Sequence, residues 1–187
     1  MRNDDHKQRR LSPEVKTGLD NLDAWVYEHQ SQTLRMTKAQ RKKRYEKRSI
    51  FYRALLSDHL PADRESLILD LPCGEGQLLF TLRKMGYTNA FGYDVDLARV
   101  EAAQSLSLPC ETGEVFKILT SAEDKSIDCI FCLDFIEHLS KSRAVDWLIK
   151  CHEKLESGGK IFLRTPCANS PFGSKDIFND LTHKWAC

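Results

Sequence analysis

The 187-residue sequence has no run of eighteen apolar residues and no marked excess of either charge. It therefore offers no candidate transmembrane helix, and a net charge of +1 gives no general attraction to nucleic acid or membranes. The segment Met1–His6 lacks the apolar stretch of a secretory signal. Seven cysteines, an odd number, fit reduced thiols better than a disulfide framework. These absences predict a cytoplasmic protein.

Cys129 and Cys132 are spaced as CxxC, but the sequence has no second CxxC and no nearby pair of histidines. Their CxxC spacing occurs in zinc and redox sites, but a structural zinc site needs four ligands. Positions three apart on a strand point to opposite faces. Both cysteines are therefore predicted to lie in the core, and the sequence predicts no metal site.

The stretch from Leu67 to Gly76 predicts a buried strand that enters a tight turn. Leu67–Leu71 is short and aliphatic, as in a strand covered on both faces. Gly74 and Gly76 permit a sharp turn with no Cβ facing a ligand. Gln77–Met85 then has leucines at helical spacing. A strand that enters a helix in this way places a ligand at the N-terminus of the helix.

The residues around this turn favour a ligand that is positively charged and has no phosphate. Leu79 replaces the third glycine of the GxGxxG nucleotide motif. The carboxylates of Asp70 and Glu75 would repel a pyrophosphate. Asp94 follows the next predicted strand, close to the ~20 residues beyond the turn at which a ribose-binding carboxylate is expected. A cation that carries ribose and no phosphate is S-adenosylmethionine.

Four segments, in order along the chain, resemble motifs of the class I S-adenosylmethionine-dependent methyltransferases. They are the DxGxGxG-like turn Asp70–Gly76, the second motif Gly92–Asp96, the fourth strand with the helix start Asp128–Leu139, and the fifth strand Leu155–Leu163. Pro72 stands where the family usually has its first glycine, which stiffens the turn. The resemblance implies an α/β, Rossmann-like, doubly wound sheet that is mostly parallel, with about five strands present. It also implies transfer of a methyl group to oxygen or nitrogen of a small-molecule or glycan acceptor.

The same resemblance implies which residues contact S-adenosylmethionine. Asp94 would bind the ribose, the turn at Gly74 and Gly76 the methionine part, and Glu114 with Val115 the adenine. Glu114 is equally well explained as a surface residue. The complete predicted set is Asp70, Cys73, Gly74, Gly76, Asp94, Val95, Glu114, Val115 and Leu133. For Cys73 the alternative is a small spacer in the turn.

Polar side chains beyond the fourth and fifth strands are candidates for catalysis, namely Asp134, His138 and His183. Asp134 would hold the amino end of the cofactor or the incoming nucleophile. His138 is either a general base, since an imidazole titrates near neutral pH, or a packed histidine. Asp180 and His183 would orient the substrate or remove its proton; the alternative is that they anchor a loop by hydrogen bonds. Glu137 is predicted to open the next helix, where it would complement the helix dipole.

The chain is predicted to divide into a helical extension, 1–64, and a methyltransferase domain, 65–187. Ser12 is expected to cap a first helix with an apolar stripe. The basic run Lys38–Arg48 is either a solvated helix face or a site for RNA, anionic lipid or an anionic glycan. RNA methylation is the less favoured function, because Asp134–Ile136 lacks the Asn/Asp-Pro-Pro-aromatic signature of base methylation.

Only five of the family's seven strands can be placed before Cys187, so the chain is expected to be truncated. The two remaining strands would form an antiparallel hairpin beside the fifth strand. Without them, that edge is exposed. A homodimer, another partner or the N-terminal helix is expected to cover it. The alternative interpretation is a truncated domain that binds the cofactor without turnover.

Overall fold

The computed structural model describes residues 36–171, 180 and 182–185. The helix predicted from Ser12 lies outside the described residues. Those from Met36 onward belong to one compact unit. The first described helix, α1 (Lys38–Leu56), is therefore part of the same unit as the sheet, although the sequence placed it in the N-terminal extension.

Strands and helices alternate along the described chain, close to the predicted bounds. After α1 they are β1 (Ile68–Asp70), α2 (Gln77–Lys84), β2 (Ala90–Asp94), α3 (Leu97–Gln104), β3 (Cys110–Thr112), α4 (Val115–Ser121), β4 (Ile127–Leu133), a 3₁₀ turn (Ile136–His138), α5 (Lys141–Lys154) and β5 (Leu155–Arg164). The prediction that Glu137 opens an α-helix is wrong. The α-helix begins after Ser140, whose hydroxyl accepts from the Arg143 N–H at 3.3 Å and so caps it.

The five strands form one parallel sheet in the order β3-β2-β1-β4-β5. Ile68 of β1 lies opposite Ala90 on one side and Cys129 on the other. The strand order reverses between β1 and β4, and open α/β sheets bind ligands at the carboxyl ends of strands beside such a switch. The predicted doubly wound α/β fold is confirmed, and β5 lies at the edge of the sheet as expected.

Alternate residues of the strands face two separate cores. Helices α1, α2 and α3 pack on one face, where Ile68, Cys129 and Phe131 are buried. Helices α4 and α5 pack on the other, where Leu69, Ile130 and Cys132 are buried. Cys129 and Cys132 thus lie in different cores, as predicted from their spacing. None of the helices in the described ranges is both long and apolar enough to cross a membrane.

Candidate functional site

The glycine turn after β1 has the backbone geometry that the sequence predicts. Gly74 and Gly76 have φ angles of +53° and +79°, in the left-handed region that favours glycine. Gly76 is also the residue that precedes α2. A Cβ placed on it would lie 2.6 Å from the Leu108 side chain and 2.9 Å from that of Ala103. The turn therefore has two separate requirements for glycine, one in the backbone and one in packing.

The carboxylate of Asp94 joins this turn to the end of β2. One oxygen accepts from the Gly74 N–H at 2.8 Å, and the other accepts from the Asp96 N–H at 2.9 Å. Asp94 is only 5% exposed. Burial raises the pKa of Asp94, and the two N–H donors oppose that shift. Each carboxylate oxygen has a second lone pair, so Asp94 can hold the turn and still accept from a ligand hydroxyl.

Asp70, the last residue of β1, places a second buried carboxylate at the same edge of the sheet. It is 2% exposed. Burial, followed by the charge of Asp94, raises the pKa of Asp70 well above its usual range. Two desolvated carboxylates of the same sign favour a bound cation, because an opposite charge stabilises their ionised forms. The electrostatics at the end of β1 therefore suit a sulfonium or ammonium group.

Helix α1 contacts the glycine turn through two side chains, and the sequence did not predict these contacts. The Arg41 guanidinium is buried and lies 3.1 Å from the Glu75 carboxylate, and the Tyr45 hydroxyl donates to the Glu75 carbonyl at 2.7 Å. Glu75 therefore presents a paired charge, not an unpaired one that would repel phosphate. The other basic side chains of the run are largely solvated, with Lys38, Lys42, Lys43, Lys47 and Arg48 exposed.

Cys73 is a packing residue of the turn. It is buried, and a Cβ on Gly92 would lie 2.5 Å from the Cys73 Cβ, so the turn fits tightly on β2. Its thiol donates to the Gly74 carbonyl at 3.7 Å, and the neighbouring Cys110 thiol, together with burial, raises the pKa of Cys73. The side chain is a neutral thiol in the core. This geometry favours the spacer alternative, although the cofactor contact stays a prediction.

The side chains predicted to contact adenine have structural partners of their own. Glu114 caps α4, since its carboxylate accepts from the Phe116 N–H at 3.1 Å and the Lys117 N–H at 3.0 Å. Val115 is buried in the core beneath α4. By contrast, Val95, directly after Asp94, is 65% exposed and offers an apolar surface. Leu133 is partly buried at the end of β4.

Asp134 lies beyond β4 in a left-handed conformation, with φ +53°. Its carboxylate pairs with Arg164 at the end of β5, and the Arg164 Nε lies 2.8 Å from Asp134 Oδ1. The same guanidinium donates to the Tyr52 hydroxyl of α1 at 2.6 Å. The bond to Asp134 raises the pKa of Arg164. Neither Arg164 nor Tyr52 was predicted, because α1 and the ends of β4 and β5 meet only in the folded chain.

His138 and His183, which are distant in the sequence, lie side by side in the structure. Their ring centroids are 4.7 Å apart. The hydroxyl of Thr182 lies 2.6 Å from His138 Nδ1 and donates to Asp180 Oδ1, also at 2.6 Å. Beside them lies Glu137, fully buried, whose pKa is raised by burial and by the charge of Asp134. The sequence thus identified both histidines but not their assembly with Glu137.

A family model described as a methyltransferase domain matches residues 39–187. The chain belongs to this family. The resemblance drawn from the four motifs to class I S-adenosylmethionine-dependent methyltransferases is thereby confirmed, and S-adenosylmethionine is the cofactor of that class. Among curated proteins, no match to the sequence is found.

Solved structures share the fold of this methyltransferase domain. A SAM-dependent methyltransferase from Archaeoglobus fulgidus is 23% identical, with a TM-score of 0.65 over 74% of this chain and 62% of its own. A protein from Pyrococcus horikoshii is 23% identical, with a TM-score of 0.57 over 65% and 58%. Phosphoethanolamine N-methyltransferase 1 of Haemonchus contortus, solved with phosphoethanolamine and S-adenosylhomocysteine, is 18% identical, with a TM-score of 0.54 over 73% and 34%. This chain thus spans about three fifths of the first two structures.

Proposed function

We propose that this protein transfers a methyl group from S-adenosylmethionine to a small-molecule or glycan acceptor. The observation that carries the proposal is the bond between Asp94 and the Gly74 N–H, at 2.8 Å. It brings the glycine turn and the acid that ends β2 together at one edge of the sheet, as a ligand with both an amino-acid part and a ribose requires. Membership of the methyltransferase family supports the methyl transfer and leaves the acceptor open.

In this proposal the cofactor lies along the carboxyl edge of β4, β1 and β2. Its ribose hydroxyls donate to Asp94, its methionine part lies over Gly74 and Gly76, and its positive charge faces Asp70. Exposed Val95 packs on the adenine, and Glu114 remains a candidate acceptor for the adenine amino group. Asp134 and Arg164 form an ion pair beside the methionine end.

The reaction is a single displacement on the methyl carbon. The acceptor atom attacks in line with the carbon–sulfur bond, that bond breaks, and S-adenosylhomocysteine is formed. Holding the two reactants in line supplies up to about 7–11 kcal/mol, while a general base adds only about 10²–10⁴-fold. His138 and His183 are the bases we expect to take the acceptor proton.

The remaining expectations stay predictions. A homodimer is expected to cover the β5 edge, and sedimentation at several concentrations tests it. A cytoplasmic location fits the described cysteines, which are free thiols. RNA remains the alternative acceptor, with the exposed face of α1 as its contact. An RNA gel shift that weakens steeply with salt would favour it.

The test compares cofactor binding to the parent protein with binding to Asp94→Asn by calorimetry. Asparagine keeps the size of the side chain but replaces one charged acceptor oxygen with an NH₂ donor, so it also loses one of the two bonds to backbone N–H groups. We expect affinity to fall about 10–100-fold. Asp146→Asn, an exposed position on α5, is the matched control and should bind like the parent. A methyl-transfer assay against hydroxylated and amino acceptors then separates an enzyme from a remnant that binds without turnover. Equal affinity in parent and Asp94→Asn would overturn the proposed pocket.

A further inference from the structure

Glu137, His138 and His183 bring one carboxylate and two imidazoles together beyond the carboxyl end of β4. One ligand atom of each lies within 4.8 Å of the other two. Glu137 is fully buried, and neither of its carboxylate oxygens has a hydrogen-bond partner among the described residues. Burying a carboxylate in this way is costly unless a cation lies beside it. The buried carboxylate and the neighbouring imidazoles are two independent indications of one ligand.

The hydrogen bonds around His138 fix which of its ring nitrogens can bind an ion. Thr182 has one hydroxyl hydrogen, which it donates to Asp180 Oδ1 at 2.6 Å. The hydroxyl therefore accepts from His138 Nδ1, also at 2.6 Å, and Nδ1 carries the proton. In the neutral ring the lone pair is then on Nε2. Histidines that bind metals commonly donate their other N–H to such an outer partner.

His183 lies beside both His138 and Glu137. Its Nε2 lies 4.0 Å from Glu137 Oε1 and 3.9 Å from Asp180 Oδ2. Backbone contacts set this position, since the Lys184 N–H donates to the Glu137 carbonyl at 2.9 Å. The Trp185 indole N–H also donates to the Leu139 carbonyl, at 2.8 Å. The segment that carries His183 is thus attached directly to the 3₁₀ turn.

We propose that Glu137, His138 and His183 bind a divalent transition-metal ion such as Zn²⁺ or Mn²⁺. Two imidazoles with one carboxylate are a ligand set that such ions accept, and three protein ligands leave positions open for water or an acceptor. Bonds of about 2.0–2.2 Å require the side chains to close around the ion from their present separations. The proposal departs from the sequence prediction of no metal site, which considered only cysteine pairs and a nearby pair of histidines.

The consequence for catalysis rests on the proposed function. An ion bound here lowers the pKa of a coordinated acceptor hydroxyl. With His138 and His183 holding the ion instead of acting as bases, the hydroxyl proton passes to solvent. The oxygen forms the new bond to the methyl carbon, and the carbon–sulfur bond breaks. The products are a methyl ether and S-adenosylhomocysteine. A hydroxylated acceptor is therefore the substrate class that this site fits.

The test measures metal binding to the full chain, produced without a polyhistidine tag and stripped with a chelator. Zn²⁺, Mn²⁺, Mg²⁺ and Ca²⁺ are each titrated by calorimetry, and elemental analysis counts the ions that remain after dialysis. We expect one Zn²⁺ or Mn²⁺ per chain and weaker binding of Mg²⁺ and Ca²⁺. Glu137→Gln and His183→Gln should each lower the affinity at least about 100-fold, and Thr182→Val about 10-fold, as for an outer partner. His152→Gln, an exposed histidine of α5, is the control and should bind like the parent.

Two further readouts keep the result unambiguous. Without metal, Glu137→Gln should unfold at the same temperature as the parent or higher, because glutamine removes a buried charge; only the parent should gain thermal stability on adding Zn²⁺. Equal binding by parent, Glu137→Gln and His183→Gln, or no binding at all, would overturn the proposal. Metal binding is measured without cofactor, so a protein that binds Zn²⁺ but not S-adenosylmethionine would refute the proposed function alone.

Discussion

The two ends of the candidate site are built in different ways. The end proposed for the cofactor contains Asp70, Gly74, Gly76 and Asp94, which lie within one strand-turn-helix-strand unit. The end proposed for the acceptor joins segments that are distant in the chain, and its Thr182–His138 bond spans 44 positions. The first end is readable in a short window of sequence, whereas the second exists only after the chain has folded. Mutations should therefore act locally at the first end and over long range at the second.

The largest expected effect tests whether the glycine turn depends on α1 as well as on its own motif residues. Arg41→Met removes one partner of the buried pair with Glu75, and breaking such a pair costs about 3–5 kcal/mol. Glu46→Gln is the control, because Glu46 of α1 pairs with Lys84 of α2 but both side chains are over 40% exposed. We expect this exposed pair to contribute less than about 1 kcal/mol. Urea unfolding measures both variants. Equal losses in the free energy of unfolding would show that the buried Arg41–Glu75 pair contributes no more than the exposed pair.

Gly76→Ala should have the next largest effect, on stability before binding. The added Cβ meets Leu108 and Ala103 at under 3 Å, and φ is +79°. Crowding and left-handed backbone together should cost about 2–4 kcal/mol. Gly86→Ala is the matched control, because its φ is +91° but nothing lies within 4 Å of the added Cβ. If both variants lose the same free energy of unfolding, the close packing of Gly76 is not the cause.

Asp70 predicts a dependence of stability on pH. A carboxyl group whose pKa is higher in the folded protein binds its proton more tightly when folded. Its contribution is most favourable at low pH and is lost as the pH rises from about 3.9 through the raised folded value. The free energy of unfolding of Asp70→Asn, relative to the parent, should therefore increase with pH. A constant difference for Asp70→Asn would mean that its pKa is not raised.

The smallest expected effect concerns Glu114, which has both a structural and a predicted ligand role. Glu114→Ala removes the cap of α4 and should cost about 1 kcal/mol, as should Ser140→Ala at the cap of α5. Only Glu114→Ala should also weaken S-adenosylmethionine binding, by about 2–10-fold. Thermal unfolding and calorimetry on the same two variants separate the roles. Unchanged affinity would leave Glu114 as a helix cap alone.

The sequence predicted the glycine turn and the position of Asp94 because their constraints are local. A left-handed turn before a helix favours glycine, and a carboxylate after the next strand marks the neighbouring loop. The same reasoning was wrong for Glu137, since a charge near a predicted helix start resembles a dipole partner until its burial is known. It missed Arg41 for a related reason, because one buried arginine inside a basic run has no distinguishing sequence pattern.

The sequence by itself determined the alternation of strands and helices, the glycine turn and the family. Periodicity and turn preference act between neighbours, so these features are encoded within short windows. Only the tertiary structure decided that α1 anchors the turn, that Arg164 neutralises Asp134, and that His183 lies beside Glu137 and His138. These contacts depend on the tertiary packing of helices and strands at the carboxyl edge of the sheet, which local sequence preferences do not specify.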